Sequence, residues 1–171
     1  DKKLIPGPNV ELSEDELTAV AIAKGHAVIT GKNKVSISKV YEVAGDVDFN
    51  TGNVEFNGSV IVRGSIREGF KVIAENDIEV VGTISDGIVE CSGNLTVKNG
   101  IVGRKSFIRA GGNIITKFIE NAVVESGRNL IVGEAILHSR VFAGKSITVA
   151  GKGTIAGGLI RAGEDIECKI L

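Results

Sequence analysis

Three short motifs contain residues whose types and spacing could do chemistry. The string "IRAGGNI" from Ile108 holds a Gly-Gly-Asn run of the kind that can cradle a ligand, and "AGKSIT" from Ala143 resembles the end of a phosphate-binding loop. His138, in "ILHSR", is a candidate general base, and His26 is the other histidine. Whether these residues do chemistry or only form turns depends on the secondary structure that carries them.

None of these motifs meets the requirements of its chemistry. A phosphate-binding loop needs a glycine five positions before Gly144, where the chain has Ser139. A lone histidine is more often a surface or packing residue, and a metal site needs several converging ligands. Cys91 and Cys168 have no CxxC partner, so we interpret both as small core residues. We therefore predict no catalytic, cofactor-binding or metal-binding residues, and no cofactor.

The Gly-Gly motif is one copy of a repeat of about 18 residues, and such a period changes the interpretation of everything within it. Val, Ile or Leu occupies the first and seventh positions of each full copy, and the ninth continues the alternation. The seven copies are "VEFNGSV" from Val54, "VIAENDI" from Val72, "VECSGNL" from Val89, "IRAGGNI" from Ile108, "VESGRNL" from Val124, "VFAGKSI" from Val141 and "IRAGEDI" from Ile160. An imperfect eighth copy starts at Tyr41.

A third apolar column lies about twelve residues after the first. Its members are Ile66, Ile84, Ile101 and Ile136, with slips to Ile119 and Ile155. A unit with three short strands cannot bury its apolar face alone, but neighbours stacked ~4.8 Å apart form a continuous core. The sequence therefore predicts an all-β, single-stranded parallel β-helix over residues 41–171, with about seven turns of 16–19 residues.

The remaining predictions concern the corners and the outward faces of this solenoid. Glycine pairs in the copies favour turns over a ligand cradle, since Gly supplies positive φ without steric cost. The sixth position of the repeat predicts a structural ladder of polar side chains at one turn: Asp77, Asn94, Asn113, Asn129, Ser146 and Asp165. The second position points outward, because side chains alternate along a strand. We select from it a candidate protein-binding face of Glu90, Arg109, Glu125, Phe142 and Arg161.

Residues 1–40 read differently from the repeats. Ser13 with Glu16 three residues later is a capping-box pattern that predicts a short helix. "HAVIT" and "VSISKV" flank "GKNK", which predicts a β-hairpin. We expect this N-terminal region to cap one solenoid end, because caps hide unpaired strand edges.

Composition excludes several classes of partner. The chain has 171 residues with 20 Lys and Arg against 21 Asp and Glu, a balance that argues against nucleic acid. No apolar run approaches the ~18 residues of a membrane span, so we predict no membrane insertion. One Tyr and no Trp disfavour a sugar-binding groove. The missing initiating Met and the final "CKIL" lead us to expect a fragment of a longer protein.

Several strings together resemble a known family. "YEVAGDVDFNTGNVEFNGSVIVRGSI", "GGNIITKFIENAVVESGRNLIV", "EAILHSRVFAG" and "IAGGLIRAGEDIECKIL" are similar to the flagellar assembly protein A family, as is "VELSEDEL". The resemblance implies a right-handed β-helix related in architecture to the polymer-forming bactofilins. It also implies a bacterial cytoplasmic protein without known catalysis, linked to flagellar assembly and to protein organisation at the cell pole.

Two hypotheses about function follow. The first is a non-enzymatic scaffold that binds protein partners through its stacked faces and forms homo-oligomers through its ends or faces. The alternative is a hexapeptide-type acyltransferase with a left-handed β-helix, since Val54, Val60, Ile66, Val72, Ile78 and Ile84 keep a six-residue period. That enzyme would need His138 as its base, and the copies slip by one or two residues at most turns. We therefore predict that the chain is not an enzyme.

Overall fold

The chain folds entirely as β-structure over the residues that can be described. The computed structural model describes residues 3–31 and 33–170. Within these ranges every regular element is a strand and there is no helix. An N-terminal module precedes the solenoid and contains five strands, β1 (Ile5–Pro6), β2 (Val10–Leu12), β3 (Ala19–Ala21), β4 (His26–Thr30) and β5 (Lys34–Ser38).

The predicted hairpin of the module is confirmed. Strands β4 and β5 pair antiparallel with Val28 opposite Ser36, and β1 adds to the other side of β5 in parallel. Strands β2 and β3 form a separate antiparallel pair. The module therefore consists of a three-stranded and a two-stranded sheet.

The helix predicted after Ser13 is wrong. The Ser13 hydroxyl accepts a hydrogen bond from the Thr18 N–H at 3.0 Å, and the Asp15 carboxylate accepts one from the Leu17 N–H at 3.0 Å. Glu16 has a φ of 57°, in the left-handed region where a right-handed helix cannot continue. The side chains that would cap a helix instead close a turn between β2 and β3, and the run "AVA" pairs with "VEL".

The rest of the chain is a parallel β-solenoid of about seven coils. All neighbouring strands of adjacent coils pair in parallel, in two long rows and a third row that is partly reduced to single bridges. The strands are β6 (Val40–Val43), β7 (Val54–Phe56), β8 (Ser59–Val62), β9 (Lys71–Ala74), β10 (Ile78–Val80), β11 (Ile84–Ser85), β12 (Ile88–Cys91), β13 (Leu95–Val102), β14 (Phe107–Ala110), β15 (Ile114–Glu120), β16 (Val123–Ser126), β17 (Leu130–Ala143), β18 (Ile147–Val149), β19 (Thr154–Ala162) and β20 (Ile166–Glu167).

Three in-register apolar columns form the solenoid core, as the repeat predicts. The first column pairs Val89 with Ile108 and Ile108 with Val124, and all three are 0% exposed. The third column runs in register through the six isoleucines named from the sequence, and the bridge from Val47 extends it by one coil. Full burial of each such side chain stabilises the fold by about 1.5–3 kcal/mol.

Coil length varies without disturbing these columns, because the variation is absorbed at irregular corners. Between β13 and β15 the register shifts after Val97, and between β15 and β17 it shifts after Thr116. The buried Thr116 hydroxyl donates to the Asn99 carbonyl at 3.1 Å, which satisfies it inside the core. The core therefore stays continuous through coils of unequal length.

The two ends of the solenoid differ. At the N-terminal end, the His26 ring lies edge-on at 5.0 Å from the Tyr41 ring, which in turn lies 5.7 Å from Phe56. At the C-terminal end the last coil exposes apolar side chains such as Leu159 and Ile166. In the described residues the N-terminal end therefore has an aromatic contact with the module, whereas the C-terminal coil has an open apolar surface.

Candidate protein-binding surface

One outward column brings together all five residues of the predicted protein-binding face. Glu90, Arg109, Glu125, Phe142 and Arg161 lie on β12, β14, β16, β17 and β19, each directly opposite the next in the parallel register. Each is the residue between two inward side chains of its strand, so the pleat turns it outward. We call these five residues the outward column.

Two charged residues of the outward column, Arg109 and Glu125, form an ion pair. Arg109 donates from Nε to Glu125 Oε2 at 2.8 Å and from Nη2 at 2.7 Å, and its guanidinium lies 5.3 Å from the centroid of the Phe107 ring. The Arg109 side chain remains 56% exposed. An exposed ion pair contributes only about 0–1 kcal/mol to stability. The pair therefore orients Arg109 without removing it from solvent.

A shallow groove of about 610 Å³ runs beside the outward column. Arg109, Glu125 and Phe142 line it together with the corner glycines Gly111 and Gly127. A Cβ on Gly127 would lie 2.2 Å from the Gly111 carbonyl oxygen, so no side chain fits at this corner. The groove consequently offers charged groups, an aromatic ring and bare backbone side by side.

The Gly-Gly run of the "IRAGGNI" motif belongs to this corner, but the predicted reason for its glycines is wrong. Neither Gly111 nor Gly112 has a φ in the left-handed region. A Cβ on Gly112 would lie 2.5 Å from Asn94 Oδ1 and 2.8 Å from the Gly93 carbonyl oxygen. Close approach between coils, rather than backbone freedom, requires glycine here.

The predicted turn residues form a chain of hydrogen bonds between coils. The Asn94 N–H donates to Asp77 Oδ1 at 2.7 Å, the Asn113 N–H to Asn94 Oδ1 at 2.9 Å, and the Asn129 N–H to Asn113 Oδ1 at 3.1 Å. The Ser146 hydroxyl donates to Asn129 Oδ1 at 3.1 Å. Each side-chain oxygen thus accepts from the backbone or side chain of the next coil.

The ends of this ladder differ from the sequence prediction. Ser59 begins it, since its hydroxyl accepts from the Asp77 N–H at 3.4 Å, and the prediction omitted Ser59 although it fills the sixth position of its copy. Among the described residues the ladder of side-chain bonds stops at Ser146. Asp165 lies beside it, where its backbone carbonyl accepts from the Ile147 N–H at 2.9 Å.

A second polar ladder at another corner was not predicted. Asp46 Oδ1 accepts from the Ser65 N–H at 2.7 Å, and Ser65 Oγ accepts from the Thr83 N–H at 3.1 Å. The hydrogen bond from the Ser65 N–H lowers the pKa of the Asp46 carboxyl most, and the bond from the Arg67 guanidinium at 2.8 Å lowers it further. A polar residue at each of these positions, 18 or 19 apart, was the available sequence signal.

His138 lies at a third corner, where the chain takes positive φ in successive coils. Six residues of successive coils have positive φ there, namely Gly69, Asp86, Gly103, Asn121, His138 and Gly157. Backbone hydrogen bonds join this corner in successive coils; for example, the Asn121 N–H donates to the Leu137 carbonyl at 3.0 Å. Asn, Asp and His are the non-glycine residues that most often adopt this conformation. We call this set the left-handed corner.

The remaining candidates for chemistry lie apart from one another. Burial, with a smaller contribution from the Asp77 charge, raises the pKa of the Cys91 thiol to about 11. Cys168 is partly exposed in the last coil, and both cysteines are free. Over residues 3–31 and 33–170, no three His, Cys, Asp or Glu side chains converge as a metal site would require. The same ranges contain no helix with the length and apolarity needed to cross a membrane.

Fold and surface together define a class: a parallel β-solenoid with corner ladders and a charged outward column. The model of the flagellar assembly protein A β-solenoid domain matches residues 39–171, which is most of the chain. The chain therefore belongs to the flagellar assembly protein A family, as its motifs predicted. No curated protein and no solved structure matches it.

Proposed function

We propose that the chain is a non-enzymatic scaffold in flagellar assembly that binds a protein partner through the outward column. The observation that carries the proposal is the in-register alternation of Glu90, Arg109, Glu125, Phe142 and Arg161 along one face. Successive coils hold these groups at a spacing of about 4.8 Å, so they form a rigid pattern of charge and aromatic surface. Family membership supplies the flagellar context.

The chemistry of the column defines the partner. A complementary segment would place a carboxylate against Arg161, a basic group against Glu90 and an apolar side chain on Phe142, beside the groove. Aromatic and arginine residues contribute most to protein interfaces, so we expect Phe142 and Arg109 to dominate the affinity. Nucleic acid is not part of the proposal because the net charge is only −1.

The scaffold proposal also includes a location and an arrangement of the chain. We place its activity in the cytoplasm at the cell pole, and we assign residues 1–40 to a cap on the first coil. The contact of His26 with Tyr41 supports this assignment. We do not favour the acyltransferase alternative, because the positive φ of His138 gives this residue a backbone role at the left-handed corner and the family match points to flagellar assembly.

Affinity capture of the full-length protein from its host tests the proposal. R109E should lose one specific flagellar partner, because it places a negative charge beside Glu125 and reverses one charge of the outward column. K98E is the matched control, since Lys98 forms the same kind of exposed ion pair, with Glu79 at 2.8 Å, on another row of strands. Equal capture by R109E and the parent protein, or equal loss with K98E, would contradict the assignment of the column.

Polar location is tested separately with a fluorescent fusion to the full-length protein. We expect foci at the cell pole that persist in the K98E variant and disperse in the R109E variant. Uniform fluorescence of the parent fusion would remove the polar part of the proposal and leave the binding surface unaffected.

A further inference from the structure

Strand β4 of the N-terminal module has a free edge. Among the described residues β4 pairs only with β5, whereas the opposite side of β5 is occupied by β1 and by the bond from the Ile37 N–H to the Pro8 carbonyl at 3.0 Å. Four of the five residues of β4 are exposed, and Ile29 is 72% exposed. The backbone groups on the outer side of β4 therefore face solvent.

The sequence of β4 does nothing to protect this edge. Proteins usually guard an exposed edge with Lys, Pro, a bulge or a covering segment. The strand reads "HAVIT", without a charged residue or proline, and pairs regularly with β5 along its whole length. Such an edge binds an extended strand, because the incoming backbone satisfies the free donors and acceptors while side chains meet across the junction.

We propose that the occupant of this edge is β4 of a second copy of the chain, paired antiparallel about Val28. In that register Val28 faces Val28 of the second copy, Ala27 faces Ile29, and His26 faces Thr30. Apolar residues oppose apolar residues, polar residues oppose polar residues, and no like charges meet. The strand is thus complementary to itself, which is what a two-fold interface requires.

The paired edges join two three-stranded sheets into one of six strands. Val28 and Ile29 then lie at the centre of the junction, where burial of part of their apolar surface adds to the new backbone bonds. The interface uses neither the outward column nor the open C-terminal coil. It is therefore independent of the partner proposed for the column, and its failure would not bear on that proposal.

Cysteine cross-linking in the C168S chain tests the register. Antiparallel opposite residues have Cα atoms about 4.5–5.5 Å apart, within disulfide range, so V28C should form a covalent dimer on mild oxidation. T30C is the matched control, because its two introduced thiols would lie four strand positions apart, at roughly 13 Å. We expect roughly tenfold or more cross-linking of V28C over T30C, since pairing raises the effective thiol concentration. The buried Cys91 remains in both variants.

Light scattering over a concentration series gives a second readout. The parent chain should form a dimer, V28K should be monomeric at the same concentrations, and I166K, in the open C-terminal coil, should still dimerise. A parent chain that stays monomeric, equal cross-linking of V28C and T30C, or a dimer lost in I166K and kept in V28K would overturn the proposal. The cysteine pair decides the question if V28K disturbs the module.

Discussion

The central coils and the N-terminal module are built from the same β-branched residue types but bury them very differently. Ile108 in β14 is 0% exposed, because strands of two neighbouring coils pair with β14 in register. Ile29 in β4 is 72% exposed, because only one strand pairs with β4. In the module only Val10 and Ile37 are buried apolar residues among those described. Burial in this chain follows from repetition rather than from residue type.

The sharpest test of this contrast is the same truncation in both regions. I108A should lower the free energy of unfolding by about 2–5 kcal/mol, because it leaves a cavity in a fully buried column. At protein concentrations where the chain is monomeric, I29A should change it by less than about 0.5 kcal/mol. Urea unfolding followed by circular dichroism measures both. Similar losses would mean that the module packs as tightly as the coils.

A second comparison concerns backbone conformation, and its expected effect on stability is intermediate. His138 has a φ of 47° in the solenoid, and Asn9 has a φ of 60° in the module. A β-branched residue in this region costs about 1–2 kcal/mol. H138V should therefore destabilise the coils by that amount, while N9V should raise amide exchange in the module and leave coil unfolding unchanged.

Glycine replacements are the controls, because glycine adopts positive φ freely. H138G should retain most of the coil stability that H138V loses, as measured by the same urea titration. If H138V and H138G lose equal stability, the His138 side chain rather than its backbone conformation supports that corner.

Polar turns give a smaller expected difference. Asn113 Oδ1 accepts both the N–H and the side-chain Nδ2–H of Asn129 at 3.1 Å, in a partly buried ladder. N113A should cost about 1 kcal/mol, the net value of a typical intramolecular bond. Ser13 closes an exposed turn of the module, and S13A should cost less than about 0.5 kcal/mol. Thermal unfolding of the two variants side by side would show whether the ladder has this advantage.

The smallest expected effect is that of exposed ion pairs, where the two regions should not differ. Arg109 pairs with Glu125 in the outward column, and Lys3 pairs with Glu16 at 2.6 Å in the module. R109A and K3A should each change the free energy of unfolding by about 0–1 kcal/mol. A loss of several kcal/mol in R109A, measured by urea unfolding, would assign the column a structural role instead of a binding role.

The coils could be predicted from the sequence because three apolar positions recur at nearly constant spacing. Parallel stacking then fixes which residues meet, so alternation alone placed Glu90 beside Arg109. The left-handed corner could not be found in this way, since Gly, Asp, Asn and His share a backbone conformation and not a side-chain type. The module has no repeat, and there the capping-box pattern of Ser13 and Glu16 was misread as a helix because it equally suits a turn.

The candidate surface could likewise be predicted only in part. The sequence predicted the membership of the outward column, whereas the choice of Glu125 over Glu90 as the partner of Arg109 depends on side-chain geometry. The Asp46 to Thr83 ladder was not predicted because Ser65 and Thr83 lie outside the seven-residue strings on which the copies were aligned.

The strict pairing of each coil with its neighbours has a consequence for synthesis on the ribosome. A coil needs only the preceding coil as a template, and that template lies about 18 residues earlier in the chain. At ordinary translation rates of about 5–20 residues per second, a new coil emerges every one to four seconds or so. The solenoid can therefore grow coil by coil from its N-terminal end while the ribosome is still translating.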